Sequence, residues 1–327
     1  MRECILALAL ALAFTSCAYV PPPPPLSGHV VGYTARTWRD PVSGGPMKAV
    51  IFFPPIRPLV QEPVKMGPWW AEAGTSPGVA PGKHPVVLIS HGHEGSKFGH
   101  HDLATTLARA GFVVVTIEHP GDNYADQSGV GTERVLLGRA WQLSAALDSL
   151  IAEPFFAPYV DESRVGVAGF SAGGYASLLL VGAKPDFSRW SGYCERHPED
   201  RLLCRDKPPS LSVGDKPTAD PRFRAAFVMA PLGIFFGPTS LSGVRAPVKL
   251  AVAEKDSVLI PSENAEVVRA GLTTVFDFTR VPGADHYVFL APCHGEAKLC
   301  ADPPGVNRFE VHRELNDSAV KFFEARL

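Results

Sequence analysis

A serine becomes a nucleophile where its hydroxyl is held clear of the backbone and a base stands ready to take its proton. Residues 164–178 set up the first condition. An apolar run from Val165 to Ala168 meets Gly169-Phe-Ser-Ala-Gly173, and an Ala/Leu-rich run to Leu180 follows. Ser171 therefore stands in G-x-S-x-G between an expected strand and an expected helix. Gly169 and Gly173 flank it because so tight a turn would drive side chains into neighbouring backbone, and the hydroxyl is pushed into the open.

The base and its partner come later in the chain. Val248–Ala253 reads as a short buried strand that runs into a turn carrying Glu254 and Asp256. Thr274–Val281 reads as the next strand, and Pro282-Gly-Ala-Asp-His286 follows it. Between Phe223 and Ala253 there is no Asp or Glu, so the acid must come from the turn after the later strand. Asp256 is preferred to Glu254, whose position at the strand end lets its side chain point elsewhere. His286 would take the proton of Ser171, and Asp256 would hold the imidazole in the required tautomer.

An ester carbonyl attacked by Ser171 needs two fixed N–H donors for its oxyanion. One is the amide of Ala172, directly after the nucleophile. The other is expected from Pro85–Ser96, a buried strand followed by a Gly-rich loop, and is assigned to the amide of His93.

These segments carry a resemblance. SHGHEGS from Ser90, EHPGDN from Glu118, GFSAGG from Gly169, AEKDSVLIP from Ala253 and GADHYVF from Gly283 resemble those of the dienelactone-hydrolase-like and platelet-activating-factor-acetylhydrolase-like branch of the α/β-hydrolase superfamily. The order Ser171, Asp256, His286 is the chain order of that superfamily. The resemblance covers roughly residues 30 to 325 and implies an α/β-hydrolase fold, a mostly parallel central sheet with helices on both faces. Dienelactone hydrolases use a cysteine where this chain has Ser171, which favours an esterase. Platelet-activating-factor acetylhydrolases place the acid after an earlier strand, where this chain has Ala230-Pro-Leu232.

Around these motifs the chain has to supply a scaffold. Val30–Arg39 and Lys48–Phe53 pattern as a leading hairpin, and Trp69–Lys83 as a Pro/Gly-rich loop. His101–Ala110 is an expected helix and Phe112–Ile117 a strand. Apolar residues at helical spacing, among them Val135, Trp141, Leu143 and Leu147, predict one crossover helix over Thr132–Ile151. Residues 184–221 are polar and Pro-rich, the expected cap over the pocket. Phe223–Met229 resumes the sheet, Ser262–Ala270 is helical, and Arg308–Ala325 closes the fold.

The chain of 327 residues is 46% hydrophobic, enough for one large core spanning residues 29–327. A net charge of −2 gives no electrostatic case for nucleic acid as a partner. Ile5–Phe14 is too short to span a bilayer and has the features of a secretory signal over residues 1–17. Thr15-Ser-Cys17 resembles a bacterial lipobox, with Cys17 as the lipidated residue and membrane attachment through that lipid. Residues 18–28, with Pro21 to Pro25, would be a stiff spacer. The expected location is periplasmic, membrane-anchored or secreted. Of six cysteines, Cys4 and Cys17 fall in the leader. Cys194 with Cys204 and Cys293 with Cys300 are the expected disulfides by sequence proximity.

The reading is an exported serine hydrolase of small-molecule carboxylic esters, with short acyl groups preferred because the cap is polar. It requires no cofactor. Lactone or thioester hydrolysis by the same residues, and a silent binding protein on the same scaffold, are the alternatives. His91, His93, His100 and His101 could suggest a metal site, because His-x-His is a known ligand spacing, but the cluster lacks the following Asp-His of binuclear metallohydrolases and His91 already shapes the oxyanion loop. His119 and Asp122 are expected in the pocket wall. Trp69, Trp70, Phe235 and Phe236 could line an acyl channel.

Overall fold

The computed structural model describes residues 30–59, 62–204, 216–293 and 298–327. The expected leader, Cys17 and the spacer lie outside them, as does part of the cap. A leading hairpin, β1 (Val31–Arg39) and β2 (Pro46–Phe53), is antiparallel, with Gly32 opposite Phe53. Three short strands follow, β3 (Val64–Met66), β4 (Trp69–Ala71) and β5 (Ala73–Gly74). The expected loop over Trp69–Lys83 therefore begins with two strands, too short for any two-residue periodicity to declare them.

From β6 (His84–Ser90) the chain alternates strand and helix. After β6 come α1 (His101–Arg109), β7 (Val113–Ile117), α2 (Glu133–Leu136) and α3 (Gly138–Ala152). β8 (Val160–Phe170) runs into α4 (Ala172–Leu180), and two short helices follow in the expected cap region, α5 (Arg189–Arg196) and α6 (Arg201–Cys204). The fold ends with β9 (Phe223–Met229), β10 (Val248–Ala253), α7 (Ala265–Gly271), β11 (Val275–Val281) and α8 (Arg308–Arg326). The single crossover helix expected over Thr132–Ile151 is broken at Leu137, beyond which Gly138 packs so closely on Val42 that a Cβ there would meet its methyl at 3.0 Å.

Nine strands form one sheet in the order β11-β10-β9-β8-β6-β7-β2-β1-β5. The pairs from β11 to β7 are all parallel, and β2 joins β7 antiparallel. Alternation along β6 sends Val86 and Leu88 to one apolar layer with α3 and α4, and Val87 and Ile89 to the other with α1 and α8. Helices on both faces leave β6, β8, β9 and β10 buried throughout their C-terminal halves. Side chains that do chemistry must therefore come from the turns where these strands end.

Candidate active site

The turn from β8 into α4 holds Ser171 at φ 56° and ψ −118°, a conformation that costs a non-glycine residue energy. Neighbouring backbone enforces it. The Ser171 N–H donates to the Met229 carbonyl at 2.9 Å, and the Ser171 carbonyl accepts from Leu232 N–H at 3.2 Å. A Cβ on Gly169 would lie 2.2 Å from the Gly173 oxygen, and one on Gly173 would lie 2.0 Å from the Ser90 oxygen, so both positions demand glycine. Among the described residues two other non-glycine residues have positive φ, Glu94 at 54° and Ala230 at 40°. They lie in the turns after β6 and β9, the strands that flank β8, so strain gathers at one end of the sheet.

Asp256 and His286 meet there. His286 Nδ1 donates to Asp256 Oδ2 at 2.7 Å, with both residues nearly buried, 2% and 5% exposed. The other oxygen of Asp256 accepts from the N–H groups of Val258 at 3.0 Å and Leu259 at 2.7 Å, which fixes the carboxylate from behind. Glu254 is turned away, accepting the Gly283 N–H at 2.7 Å. The His286 ring packs 4.7 Å from that of Phe170, the residue before Ser171, which is itself 8% exposed. The first-turn N–H of Ala172 lies at the positive end of α4, and Gly92 passes so close to Ser171 that an added Cβ would sit 3.3 Å from Ser171 Cβ.

The histidines upstream take separate partners. His91 accepts the His119 N–H on Nε2 at 3.1 Å, so its proton is on Nδ1, which donates to the Gly92 carbonyl at 2.7 Å. Burial first, then the Arg139 cation, push its pKa down to about 3, and the ring is neutral. His119 donates through Nδ1 to Gln142 Oε1 at 2.7 Å and accepts from the Ser90 hydroxyl at 2.8 Å; burial holds it well below the usual range. Gln142 in turn donates to buried Asp40 at 3.1 Å. His93 Nδ1 is 2.6 Å from Asp122 Oδ1. Burial opposes the charge on Asp122, yet Arg139 and His93 hold its pKa far below that of an ordinary carboxylate. His101 spans the carbonyls of Phe98 and Trp70 at 3.2 and 3.0 Å, and buried His100 packs on Phe170. Among the described residues no three His, Cys, Asp or Glu side chains converge as a metal site.

Phe235 and Phe236 are buried in the layer of α4, against Tyr175, and Trp69 is tied by its indole N–H to the Ala291 carbonyl at 3.0 Å. Disulfides join Cys194 to Cys204, linking α5 to α6, and Cys293 to Cys300. Arg196 of α5 reaches Glu263 at 2.9 Å, so α5 leans on the loop beyond Asp256. Sequence reasoning passed over Arg139, Gln142 and Asp285. The first two could have been seen as polar residues on the apolar face of α3, where burial demands a partner.

Residues 71–202 match the profile of the Dienelactone hydrolase family. Two solved structures have the same fold. Ferulic acid esterase from Streptomyces cinnamoneus aligns with 93% of this chain and 92% of its own at a TM-score of 0.62 and 19% identity. Dienelactone hydrolase from Anabaena variabilis ATCC 29413 aligns over 91% of this chain and 100% of its own, TM-score 0.52, also at 19% identity. The chain has the α/β-hydrolase fold, and its residues 71–202 resemble the dienelactone hydrolases. Shorter likenesses run to Cutinase 2 of Thermobifida cellulosilytica, 36% identical over 103 residues, and to the "Probable dipeptidyl-aminopeptidase B" of Ajellomyces capsulatus (strain NAm1 / WU24), 33% over 106 residues. They span 31% and 30% of this α/β-hydrolase but only 36% and 11% of those relatives, well under two thirds of their length.

Proposed function

We propose that this α/β-hydrolase cleaves carboxylic esters through a covalent acyl-enzyme on Ser171. The observation that carries the reading is the buried Asp256–His286 hydrogen bond at the same end of the sheet as a serine held at φ 56°. His286 Nε2 takes the proton of Ser171 Oγ as the oxygen attacks the ester carbonyl. The amides of His93 and Ala172 face the developing oxyanion, and each such donor is worth about 100- to 1,000-fold in turnover. The imidazolium, stabilised by Asp256, passes its proton to the departing alcohol. Water then enters by the reverse proton path and releases the acid.

The names of the similar proteins, an esterase of ferulic acid, a hydrolase of dienelactone and a cutinase, support ester or lactone cleavage. Short acyl groups fit the site best. Phe235 and Phe236 are committed to the core, and the cap exposes Arg189, Glu195, Arg196 and Glu199 where a lipase would lay an apolar face on lipid. The lactone reading rests on the family match and uses the same residues. Two disulfides support an oxidising compartment, and with it the expected export of the chain. A lipid on Cys17 remains part of that proposal and is tested by labelled palmitate that Cys17→Ala no longer incorporates.

The test of the activity is labelling of the mature domain by a fluorophosphonate, with hydrolysis of para-nitrophenyl esters from acetate to palmitate. Ser171→Ala should abolish both label and turnover while the fold stays intact. Full labelling of that variant would reject Ser171, and specificity constants that keep rising through the long chains would reject the short-acyl preference.

A further inference from the structure

A buried cation stands behind the loop that would bind the oxyanion. Arg139 of α3 is 1% exposed, and three of the four hydrogen bonds of its guanidinium go to main-chain oxygens. One terminal nitrogen donates to the His91 carbonyl at 2.5 Å; the other reaches the carbonyls of Gly92 at 3.2 Å and Asp122 at 3.3 Å and the Asp122 carboxylate at 2.7 Å. The Gly92 oxygen also accepts from the Gly95 N–H at 3.1 Å and from the neutral ring of His91 at 2.7 Å.

A trans peptide points its C=O and N–H in opposite directions. Three donors hold the Gly92 oxygen on the Arg139 side, so the N–H of the same peptide, that of His93, is thrown the other way, and Gly92 itself passes against Ser171. Asp122 completes the clamp. Its Oδ1 takes the Glu94 N–H at 3.1 Å and the His93 ring at 2.6 Å, which holds Glu94 in its left-handed conformation. A buried ion pair is a poor source of stability, because desolvating two charges consumes most of their attraction. A guanidinium fork can do what an ammonium cannot, gripping consecutive carbonyls in a fixed plane.

We propose that Arg139, braced by Asp122, is a positioning residue that orients the His93 amide toward the oxyanion. This rests on the reading of Ser171 as nucleophile. The test compares wild type with Arg139→Lys, which keeps a charge beside Asp122, and with the double variant Arg139→Gln/Asp122→Asn, which leaves neither charge unpaired. Measured for each are circular dichroism, fluorophosphonate stoichiometry at Ser171, kcat and KM for para-nitrophenyl acetate, and the inhibition constant of a trifluoromethyl ketone whose adduct bears an oxyanion.

Loss of an oriented donor predicts a fall in kcat of about 100-fold with KM within about threefold, full eventual labelling of Ser171, and ketone affinity weakened by a factor similar to that in kcat/KM. A merely structural role would lower the folded fraction and the labelling stoichiometry together, without selective loss of ketone affinity. Folded variants with kcat within about threefold of wild type, or with unchanged ketone affinity, overturn the proposal. So does failure of both variants to fold beside a folded Ser171→Ala control, since Arg139 would then belong to the core alone. Absence of label on wild-type Ser171 overturns the parent reading and this one with it, whereas wild-type labelling with unaltered variant kinetics overturns the positioning role only.

Discussion

Asp285 ties together the two turns that carry the proposed acid and base. Its carboxylate accepts the Ser257 N–H at 2.7 Å and the Ser257 hydroxyl at 2.9 Å, and it caps the N–H of His286 at 2.7 Å. Ser257 follows Asp256 and Asp285 precedes His286, so one side chain fixes the spacing of the pair beside it. Removal should loosen their geometry without touching substrate. Asp285→Ala is expected to lower kcat by about 10- to 100-fold with KM little changed, because small misplacements of catalytic groups cost that much. Asp285→Asn keeps one acceptor and should recover part of the loss. Steady-state kinetics of both variants decide it, and equal activity of Asp285→Ala and wild type would remove the brace from the account.

The two carboxylates after β10 separate just as cleanly. Asp256→Asn deprives the imidazole of its orienting acceptor and should reduce turnover by about 10⁴-fold. Glu254→Gln changes only a bond to the Gly283 N–H, which an amide oxygen can still accept, and should stay within a few-fold of wild type. The reverse ranking in kcat would assign the acid to Glu254.

Gly173 offers a test of the turn itself. A Cβ there would come 2.0 Å from the Ser90 oxygen and 2.7 Å from that of His91, both main-chain atoms that cannot swing aside. Gly173→Ala should destabilise the protein by more than about 3 kcal/mol, beyond ordinary overpacking, and should remove activity. Gly111, at φ 96° with open space around it, is the control. Gly111→Ala carries only the conformational cost, about 1 to 2 kcal/mol, and should leave turnover intact. Urea midpoints of the two variants compare the effects directly; similar midpoints would mean the elbow is more compliant than its contacts imply.

What could be read in the sequence was whatever a turn makes local. Ser171 announces itself because its flanking glycines stand beside it in one turn, although the oxygen that forbids a Cβ on Gly173 is that of distant Ser90, and Asp256 and His286 because each follows an apolar strand at once. The alternating sheet and its outer helices were legible for the same reason. The partners of Arg139 and Gln142 were not, since His91, Asp122, His119 and Asp40 come from other turns 17 to 102 residues away and a helical period shows only that a buried polar residue needs a partner, not which one. The break at Leu137 was hidden because the apolar spacing continues across it; what fixes it is the tertiary contact of Gly138 with Val42.

The buried histidines set the acid limit of the fold. Burial lowers the pKa of His91 from 6.5 to about 3 and that of His100 to about 4, and it lowers His101 and His119 as well. His91 and His100 are neutral in the folded chain at pH 6, whereas in the unfolded chain each gains a proton as pH falls through about 6.5. The unfolded state therefore binds more protons, and stability must drop with falling pH from that point until the folded pKa is reached. The slope approaches about 1.4 kcal/mol per pH unit for each such histidine. Asp122 and Asp102, both depressed, act in the same direction only lower, below about pH 4, where their unfolded forms begin to protonate. Acid loss of stability should thus begin near pH 6.5 rather than near 4. Urea denaturation between pH 8 and pH 5 measures it: the midpoint should be level down to about pH 7 and fall steeply below 6. A midpoint unchanged at pH 5 would mean that these rings take up protons inside the fold, and that the neutral His91, with its Nδ1–H on the Gly92 carbonyl, is wrongly described.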